Sequence, residues 1–222
     1  MLRIIAIFFA VFLSSITTQE TCQLTDPDIL GPYYIPGAPK SEDQLCSNLP
    51  AHDRLILTGQ VLDFDSKCMN GVSYVQLDLW QANYNGVYSG GKSETDWFCR
   101  GIFRTDGNGK FRITTLMPGR YDDGGYRPAH IHFNITAEGY PKLITQLYFN
   151  QDYYLSPRDS CARCRSDAQT LRVTTSHHDD IKTFEGNWQI VLSKKARISF
   201  PPMTRETSKR GSYIEIKEHI MH

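Results

Sequence analysis

The amino-acid sequence predicts an all-β protein, an antiparallel β-sandwich of about eight core strands with long site-forming loops and little helix. Three features indicate this class. Many short segments alternate apolar and polar residues, turn residues separate them at regular spacing, and few stretches have a helical period. The chain has 222 residues, 40% hydrophobic and 12% aromatic, which is enough for one well-packed core.

The predicted strands begin at Leu55. In LILTGQVLDF the apolar residues Leu55, Leu57 and Val61 fall at every second or fourth position, as in a half-buried strand. Asn70-Gly71 indicates a tight turn before the second strand, VQLDLWQAN. Two strands are predicted in GIFRTDGNGKFRITTL around an Asp-Gly-Asn-Gly turn, and three more in RPAHIHFNI, KLITQLYF and NWQIVLSKK.

Residues 19–200 are expected to form this single domain, with an irregular N-terminal segment at 19–50 that is rich in Pro, Asp and Ser. The connections 83–99 and 148–172 are long for hairpin loops, and long loops in compact domains often carry a functional site. The alternation stops near residue 200, so we expect residues 201–222 to be a mobile tail.

The first 18 residues are predicted to be a secretory signal peptide. Arg3 gives a positive start, the stretch 4–13 is apolar without a break, and small and polar residues follow. A membrane anchor or a buried N-terminal element is the alternative. The run is shorter than the roughly 20 apolar residues that cross a bilayer, and no later segment qualifies. We therefore expect a secreted protein without a membrane span.

The cysteine content agrees with secretion. An even number of cysteines behind a signal peptide predicts disulfides, although six cysteines allow 15 pairings and the sequence does not choose among them. The pair Cys161 and Cys164 forms a C-x-x-C, which in a cytosolic protein would suggest redox chemistry or zinc; in an oxidising compartment a structural bridge is favoured. The six are Cys22, Cys46, Cys68, Cys99, Cys161 and Cys164.

Charge excludes one class of partner. The chain has 24 Lys and Arg residues and 24 Asp and Glu residues, so its formal net charge is zero. No long basic run is present, and nucleic-acid binding is therefore not expected.

The segment RPAHIHFNI contains a pair of histidines that could bind a metal. Side chains two residues apart on a strand point to the same face, so His130 and His132 would share one face and form a chelating pair. The opposite face would be buried, and it carries Ala129, Ile131, Phe133 and Ile135. Two unrelated histidines on a solvated face are the alternative.

The remaining ligands decide which metal the pair would hold. No cysteine lies near it, so a zinc thiolate site is not indicated. A cupin-like Fe(II) or Mn oxygenase remains an alternative, but Glu138 stands too far along for the cupin spacing. Tyrosines are near instead, at Tyr88 and Tyr121. A phenol has a pKa of about 10, and a highly charged cation such as ferric iron can displace its proton.

At this point the sequence resembles the intradiol ring-cleavage dioxygenases, the family of catechol 1,2-dioxygenases and protocatechuate 3,4-dioxygenases. The resemblance spans most of residues 29–150, and its most specific parts are W-Q-A-N-x-x-G-x-Y and R-P-A-H-I-H-F. The segments that carry it are GPYYIPGAP (31–39), DLWQANYNGVY (78–88), FRTDGNGKFRITTLMPGRY (103–121), YRPAHIHFNI (126–135) and GYPKLITQLYF (139–149).

The resemblance implies roles for individual residues. The ligands of a non-haem ferric iron would be Tyr88, Tyr121, His130 and His132, and Tyr121 would leave the metal and take up a proton when the catechol binds. Arg127 would stabilise negative charge that develops on the substrate ring. The substrate pocket would include Gln146, Pro32 and Ile29.

The function implied is a secreted Fe(III) enzyme that cleaves catechols with O2 between the hydroxylated carbons, giving cis,cis-muconate-type diacids, in degradation or detoxification of phenolics. A non-catalytic secreted binding module with the same sandwich is the main alternative. Bacterial members carry an N-terminal helical region used for dimerisation, and here the chain before Leu55 is broken by prolines. We therefore expect a monomer with an open pocket that accepts catechols bearing para side chains.

Overall fold

The structure, a computed structural model, describes residues 22–90, 96–178 and 181–196. The predicted signal peptide at 1–18 and the predicted tail at 201–222 lie outside these ranges. Almost all regular structure in the described residues is β-strand, with one short 3-10 helix at Phe64–Ser66. Accordingly, the part of the chain that is described has no helix of membrane-spanning length and apolarity.

Eleven strands form within the described residues, and nine of them make up two larger sheets. The strands are β1 (Arg54–Asp63), β2 (Gln76–Gln81), β3 (Arg100–Arg104), β4 (Lys110–Leu116), β5 (Tyr121–Asp122), β6 (Tyr126–Arg127), β7 (His130–Thr136), β8 (Leu143–Phe149), β9 (Thr170–Leu171), β10 (Val173–His178) and β11 (Ile181–Leu192).

The two larger sheets form the predicted sandwich. One has the order β10-β11-β1-β4 and the other β3-β2-β7-β8-β9, while β5 and β6 make a separate small hairpin. Buried apolar side chains from both sheets belong to one core cluster, and the rings of Phe133 and Trp188 meet across it with centroids 4.9 Å apart. The all-β prediction is confirmed, and β7 lies in the middle of the second sheet with β2 and β8 on either side.

Several details differ from the sequence-based expectation. The sandwich is not purely antiparallel, because β11 pairs with β1 in parallel and β9 pairs with β8 in parallel. Strand β11 joins the first sheet beside β1 after the chain has passed through the second sheet, so no hairpin sets their relative direction. Asn70-Gly71 does not connect a hairpin either: β1 and β2 belong to different sheets, and Gly71 forms an isolated bridge with Leu62.

Four strands were not anticipated. Strands β5, β6 and β9 have two residues each, which is too short to show an alternating pattern. Strand β10 is an edge strand whose residues Thr174, Thr175, Ser176 and His177 are all exposed, so it lacks the apolar face by which strands are recognised.

Disulfides and backbone hydrogen bonds hold the irregular N-terminal segment against the sandwich. The bridges Cys22–Cys68 and Cys46–Cys99 close loops with sequence separations of 46 and 53, and bridges over long loops stabilise mainly by restricting the unfolded chain. The third bridge, Cys161–Cys164, has a separation of only 3. The segment also donates to the sheets, from the amide of Asp28 to Ile144 at 2.9 Å and from Leu45 to Thr114 at 2.8 Å.

The packing of β1 gives a test of the core. A Cβ added at Gly59 would lie 2.1 Å from the Trp188 carbonyl oxygen and 2.4 Å from the Phe111 ring. We expect Gly59→Ala to lower the free energy of unfolding by about 2–3 kcal/mol, because backbone and a packed ring must both move. The measurement is urea denaturation followed by tryptophan fluorescence.

Gly101→Ala is the matched control in the other sheet. Its added Cβ would meet only side-chain atoms, at 3.2 to 3.3 Å, and these can shift by a few tenths of an ångström. We expect a change of less than about 1 kcal/mol. Equal destabilisation by the two substitutions would contradict the close packing around Gly59.

Candidate active site

The site is built on strand β7, whose two faces have different environments. Ile131, Phe133 and Ile135 belong to the apolar core, as the alternation predicted. His130 and His132 lie on the opposite face, and both are almost fully buried, with exposures of 2% and 1%. The same strand therefore anchors the core and holds two imidazoles in fixed positions.

Three nitrogen and oxygen atoms converge at this face. Nε2 of His130 lies 3.1 Å from Nε2 of His132, and the hydroxyl of Tyr88 lies 3.2 Å from each of these nitrogens. Tyr88 comes from the long connection between β2 and β3, which the sequence predicted to serve a site. These distances match a shared cation, since atoms about 2.0–2.1 Å from one metal in a tetrahedral arrangement are about 3.3 Å apart.

The protonation of the histidines favours a cation as well. Nδ1 of His130 lies 2.6 Å from the carbonyl oxygen of Pro128 and must donate to it, which leaves the Nε2 lone pair facing the site. Two Nε2 lone pairs at this separation repel each other unless a proton or a cation lies between them. The ring of His132 is fixed by stacking on Trp80, with centroids 4.6 Å apart and an interplanar angle of 8°.

Tyr121 completes the candidate ligand set from the β5–β6 hairpin. Its ring centroid lies 5.5 Å from that of Tyr88 and 5.8 Å from that of His130. Its hydroxyl accepts a hydrogen bond of 3.4 Å from Nη1 of Arg127. In the described residues no three His, Cys, Asp or Glu side chains group into a metal site, so any metal held here would depend on the tyrosines.

The pKa values of these groups suit metal binding. Burial lowers the pKa of His130 to about 3, with the nearby charge of Arg127 adding to the effect. Burial, followed by the neighbouring His130, also lowers the pKa of His132 well below its usual range. Both imidazoles are therefore neutral near pH 7 and available as ligands.

The phenols behave in the opposite sense. Burial raises the pKa of Tyr88 well above 10, and the neighbouring Tyr121 phenol raises it further. Burial also raises the pKa of Tyr121, although the charge of Arg127 opposes this. Both phenols keep their protons near neutral pH until a cation displaces them.

Arg127 lies beside this cluster with its guanidinium buried. Its side chain is 3% exposed, and it forms an ion pair with Asp159, whose side chain is also 3% exposed, at 2.9 Å. Burial opposes the charge, but the hydrogen bonds to Asp159 and the adjacent tyrosines raise the pKa of Arg127 above its usual value. Arg127 is therefore a permanent cation in a dry position next to Tyr121.

The three predicted pocket residues lie along one side of the site. Gln146 is fully buried on β8 opposite His132, and its Nε2 donates to the carbonyl oxygen of Ile29 at 2.8 Å. Pro32 is exposed in the turn that follows. It stands between Gly31, where an added Cβ would lie 3.2 Å from the His132 ring, and Tyr33, which stacks on Tyr88 with centroids 4.4 Å apart.

Sequence reasoning missed several neighbours of the site. Tyr148 lies two residues after Gln146 on the same strand face, and this spacing was a usable signal. Its hydroxyl accepts from Nη2 of Arg127 at 3.0 Å and lies 2.9 Å from Oδ2 of Asp28. Asp28 and Asp159 come from irregular segments without any periodicity, so no pattern could have indicated them.

Comparisons with known proteins relate the chain to one group of enzymes. A family model described as Dioxygenase matches residues 29–194, a range that contains every candidate site residue except Asp28. A chlorocatechol 1,2-dioxygenase of Cupriavidus pinatubonensis is 32% identical over 177 residues, covering 70% of this chain and 67% of that protein. A hydroxyquinol 1,2-dioxygenase of a Rhizobium species is 28% identical over 165 residues, covering 66% of this chain and 55% of that protein.

The fold agrees too. The crystal structure of a 3-chlorocatechol 1,2-dioxygenase from Rhodococcus opacus superposes with a TM-score of 0.65 at 30% identity, covering 76% of this chain and 72% of that one. The chain thus spans between about half and three quarters of the length of the relatives it resembles.

The buried histidines predict a pH dependence for the metal-free protein. The pKa of His130 is about 3 in the folded state against an ordinary value of 6.5, so the unfolded chain binds a proton that the folded protein does not. The free energy of unfolding should therefore fall as the pH is lowered from 6.5 toward 3. Urea denaturation at a series of pH values measures this slope.

The control is His130→Gln, which removes the imidazole that takes up a proton when the chain unfolds. The slope of its stability against pH should be shallower than that of the parent protein over the same range, whatever its absolute stability. Parallel profiles for the two proteins would show that His130 is protonated in the folded state.

Proposed function

This chain belongs to the intradiol ring-cleavage dioxygenase family, and we propose that it is a secreted, ferric-iron-dependent enzyme that opens catechol rings. Catechol and O2 would be the substrates, and the bond between the two hydroxylated carbons would break to give a cis,cis-muconate-type diacid. One observation carries the proposal: two neutral imidazoles and a phenol converge within 3.1 to 3.2 Å, beside a second phenol and a buried guanidinium.

The metal would be held by Tyr88, Tyr121, His130 and His132. Hard anionic phenolates together with neutral imidazoles suit Fe(III) better than Fe(II), because negative ligands stabilise the higher charge. When bound, the iron would supply Lewis-acid charge that draws catechol in as a chelated dianion and makes its ring reactive toward O2.

Proton transfer falls to the hydroxyl of Tyr121. A catechol held through both oxygens would lose two protons, of which the Tyr121 oxygen would accept one and solvent the other. Burial raises the pKa of this phenol, so it retains the proton once it holds it. The Nη1 donor of Arg127 fixes the orientation of the hydroxyl at 3.4 Å.

Charge stabilisation falls to Arg127. Before O2 adds, negative charge develops on a ring carbon as the substrate ketonises, and a fixed cation in a water-poor site lowers the energy of that state selectively. Next to Arg127, whose Nη2 lies 3.3 Å from Oε1 of Gln146, a 2.8 Å hydrogen bond joins Gln146 to Ile29. The residues of this chain would thus bind and orient the substrate and neutralise its developing charge, while O2 supplies both inserted oxygen atoms.

The rim of the site favours a broad substrate range. Pro32 is exposed, and Val87, next to Tyr88, is 52% exposed. We therefore extend the proposal to catechols with para side chains, such as caffeic-type phenolics, whose side chain would project past this rim.

Secretion and a monomeric state complete the proposal. All six cysteines are paired in disulfides, which persist mainly in oxidising compartments. Residues 22–53, which precede β1, form no helix. Sedimentation analysis of the purified protein tests the monomer.

Tyr88→Phe tests the iron site. The substitution keeps the ring and removes the oxygen that faces both Nε2 atoms, so we expect iron content and the visible tyrosinate-to-iron absorption to fall at least about tenfold. Metal analysis and absorption spectra provide the measurement. Tyr84→Phe is the matched control, because Tyr84 stacks on His52 at 4.2 Å and should leave both unchanged. Retained iron and colour in Tyr88→Phe would refute the ligand assignment.

Anaerobic titration followed by oxygen tests the reaction. Catechol and caffeic acid, added without oxygen to the coloured protein, should each shift the visible band. Admission of isotopically labelled oxygen should then yield ring-opened diacids that contain two labelled atoms. Turnover of unsubstituted catechol alone would refute the broad substrate range. A colourless protein that neither takes up iron nor consumes catechol would support the binding-module alternative.

A further inference from the structure

Arg127 is held from behind by groups outside the metal site. A guanidinium has five N–H donors in a rigid planar fork. Its Nε donates to Oδ1 of Asp159 at 2.9 Å, and its Nη2 has acceptors in Oδ2 of Asp159 at 3.2 Å, the Tyr148 hydroxyl at 3.0 Å and Oε1 of Gln146 at 3.3 Å. Three of the five donors therefore have acceptors other than the candidate metal ligands.

The remaining nitrogen, Nη1, is directed at a candidate metal ligand. Among the described residues, Nη1 has the hydroxyl of Tyr121 as its acceptor, at 3.4 Å. The plane of the guanidinium is set by the two-point contact with Asp159, and the direction of Nη1 follows from that plane. A bidentate carboxylate contact fixes orientation as well as charge.

Asp159 begins the loop 159–165, in which a disulfide links Cys161 to Cys164. The amide of Cys161 donates to Oδ1 of Asp159 at 2.9 Å, and the amide of Ser160 donates to the carbonyl oxygen of Tyr126 at 3.2 Å. The first bond orients the carboxylate, and the second ties the loop to strand β6, which carries Arg127. The Cys161–Cys164 bridge closes the loop with a Cα–Cα distance of 5.4 Å.

The other end of the loop reaches the same network. The amide of Arg165, next to Cys164, donates to Oδ2 of Asp28 at 3.1 Å, and this oxygen also receives the Tyr148 hydroxyl at 2.9 Å. Tyr148 in turn contacts Nη2 of Arg127. The loop 159–165 is thus connected to the guanidinium by two routes of hydrogen bonds. One is direct, through Asp159, and the other passes through Asp28 and Tyr148.

We propose that Asp159 is a positioning residue for ring cleavage, which aims Nη1 of Arg127 at the reacting substrate, and that the Cys161–Cys164 loop holds Asp159 in place. The inference rests on the proposed function, because the value of a fixed guanidinium lies in the charge that develops during cleavage. Among the described residues Asp159 has no hydrogen bond to a candidate ligand and is bonded to Arg127 and the Cys161 amide, so its effect passes through Arg127.

Asp159→Asn is the principal test. The amide keeps the shape of the side chain and loses the two-point anionic contact. We expect kcat for catechol to fall about 100-fold, since small misplacements of a charge-stabilising group have effects of this order. KM, iron content and the visible spectrum should change less than about threefold, because the ligands are untouched. Asp159→Glu should recover part of kcat by restoring the charge.

A control at another carboxylate that contacts this loop separates position from charge. Asp26→Asn removes an exposed carboxylate that pairs with Arg165 at 2.7 Å, where both side chains are at least 40% exposed. Its kcat should stay within about twofold of the parent protein, since an exposed pair contributes little. A fall equal to that of Asp159→Asn would mean that loss of any carboxylate in contact with this loop has the same effect, and would overturn the proposal.

A second readout needs neither iron nor turnover. In the metal-free protein the Nε proton of Arg127, identified by its disappearance in Arg127→Lys, should exchange slowly with water in an NMR spectrum. Asp159→Asn should accelerate this exchange at least about tenfold. The double variant Cys161→Ser/Cys164→Ser keeps Asp159 and should accelerate it less, with a fall in kcat of about tenfold.

The outcomes separate the two claims. A parent protein without turnover but with a slowly exchanging Nε proton would refute the proposed function. It would still support the role of Asp159 in fixing the position of Arg127. An active parent protein whose Asp159→Asn variant keeps its kcat and its slow exchange would overturn the inference. Parent values in the double cysteine variant would overturn the role of the loop. If Asp159→Asn does not fold, Asp159→Glu and the double variant carry the test.

Discussion

The active site depends on one constraint: strand β7 must bury both of its faces at once. Ile131, Phe133 and Ile135 face the core, so the strand cannot shift by one residue without exposing them and burying the histidines in apolar packing. The same alternation puts His130 and His132 on a single face with their Nε2 atoms 3.1 Å apart. Packing of the core therefore also keeps the two Nε2 lone pairs close together. Their repulsion is removed only when a proton or a cation lies between them.

Charge is balanced around this strand by groups from distant parts of the chain. A guanidinium next to a metal would be repelled, and Arg127 is kept there by a buried carboxylate and a tyrosine hydroxyl rather than by the ligands. Two phenolates would cancel two of the three positive charges of a ferric ion held at this site. The low pKa of His130 fits the same arrangement, because burial and then the nearby charge of Arg127 both disfavour a second positive charge at this position.

The sequence was sufficient wherever a short-range pattern or a motif carried the information. Alternation predicted which face of β7 belongs to the apolar core. The W-Q-A-N-x-x-G-x-Y and R-P-A-H-I-H-F motifs indicated Tyr88, Arg127 and the histidine pair, which the fold brings together. It was insufficient where long-range pairing decides the outcome. The parallel pairing of β11 with β1 depends on how the chain crosses between sheets, and nothing local in either strand specifies its direction.

Asp159 illustrates why supporting residues escape such reasoning. Its loop has no periodicity, it is far in sequence from Arg127, and an aspartate in a polar segment is usually solvated. Only the fold shows that its side chain is 3% exposed and faces a guanidinium. Ligands are confined to a few residue types and fixed distances, so they leave motifs. A residue that orients a catalytic group needs only to reach it, and different loops can supply it. The precision of this site therefore depends on a segment whose sequence gives no sign of that role.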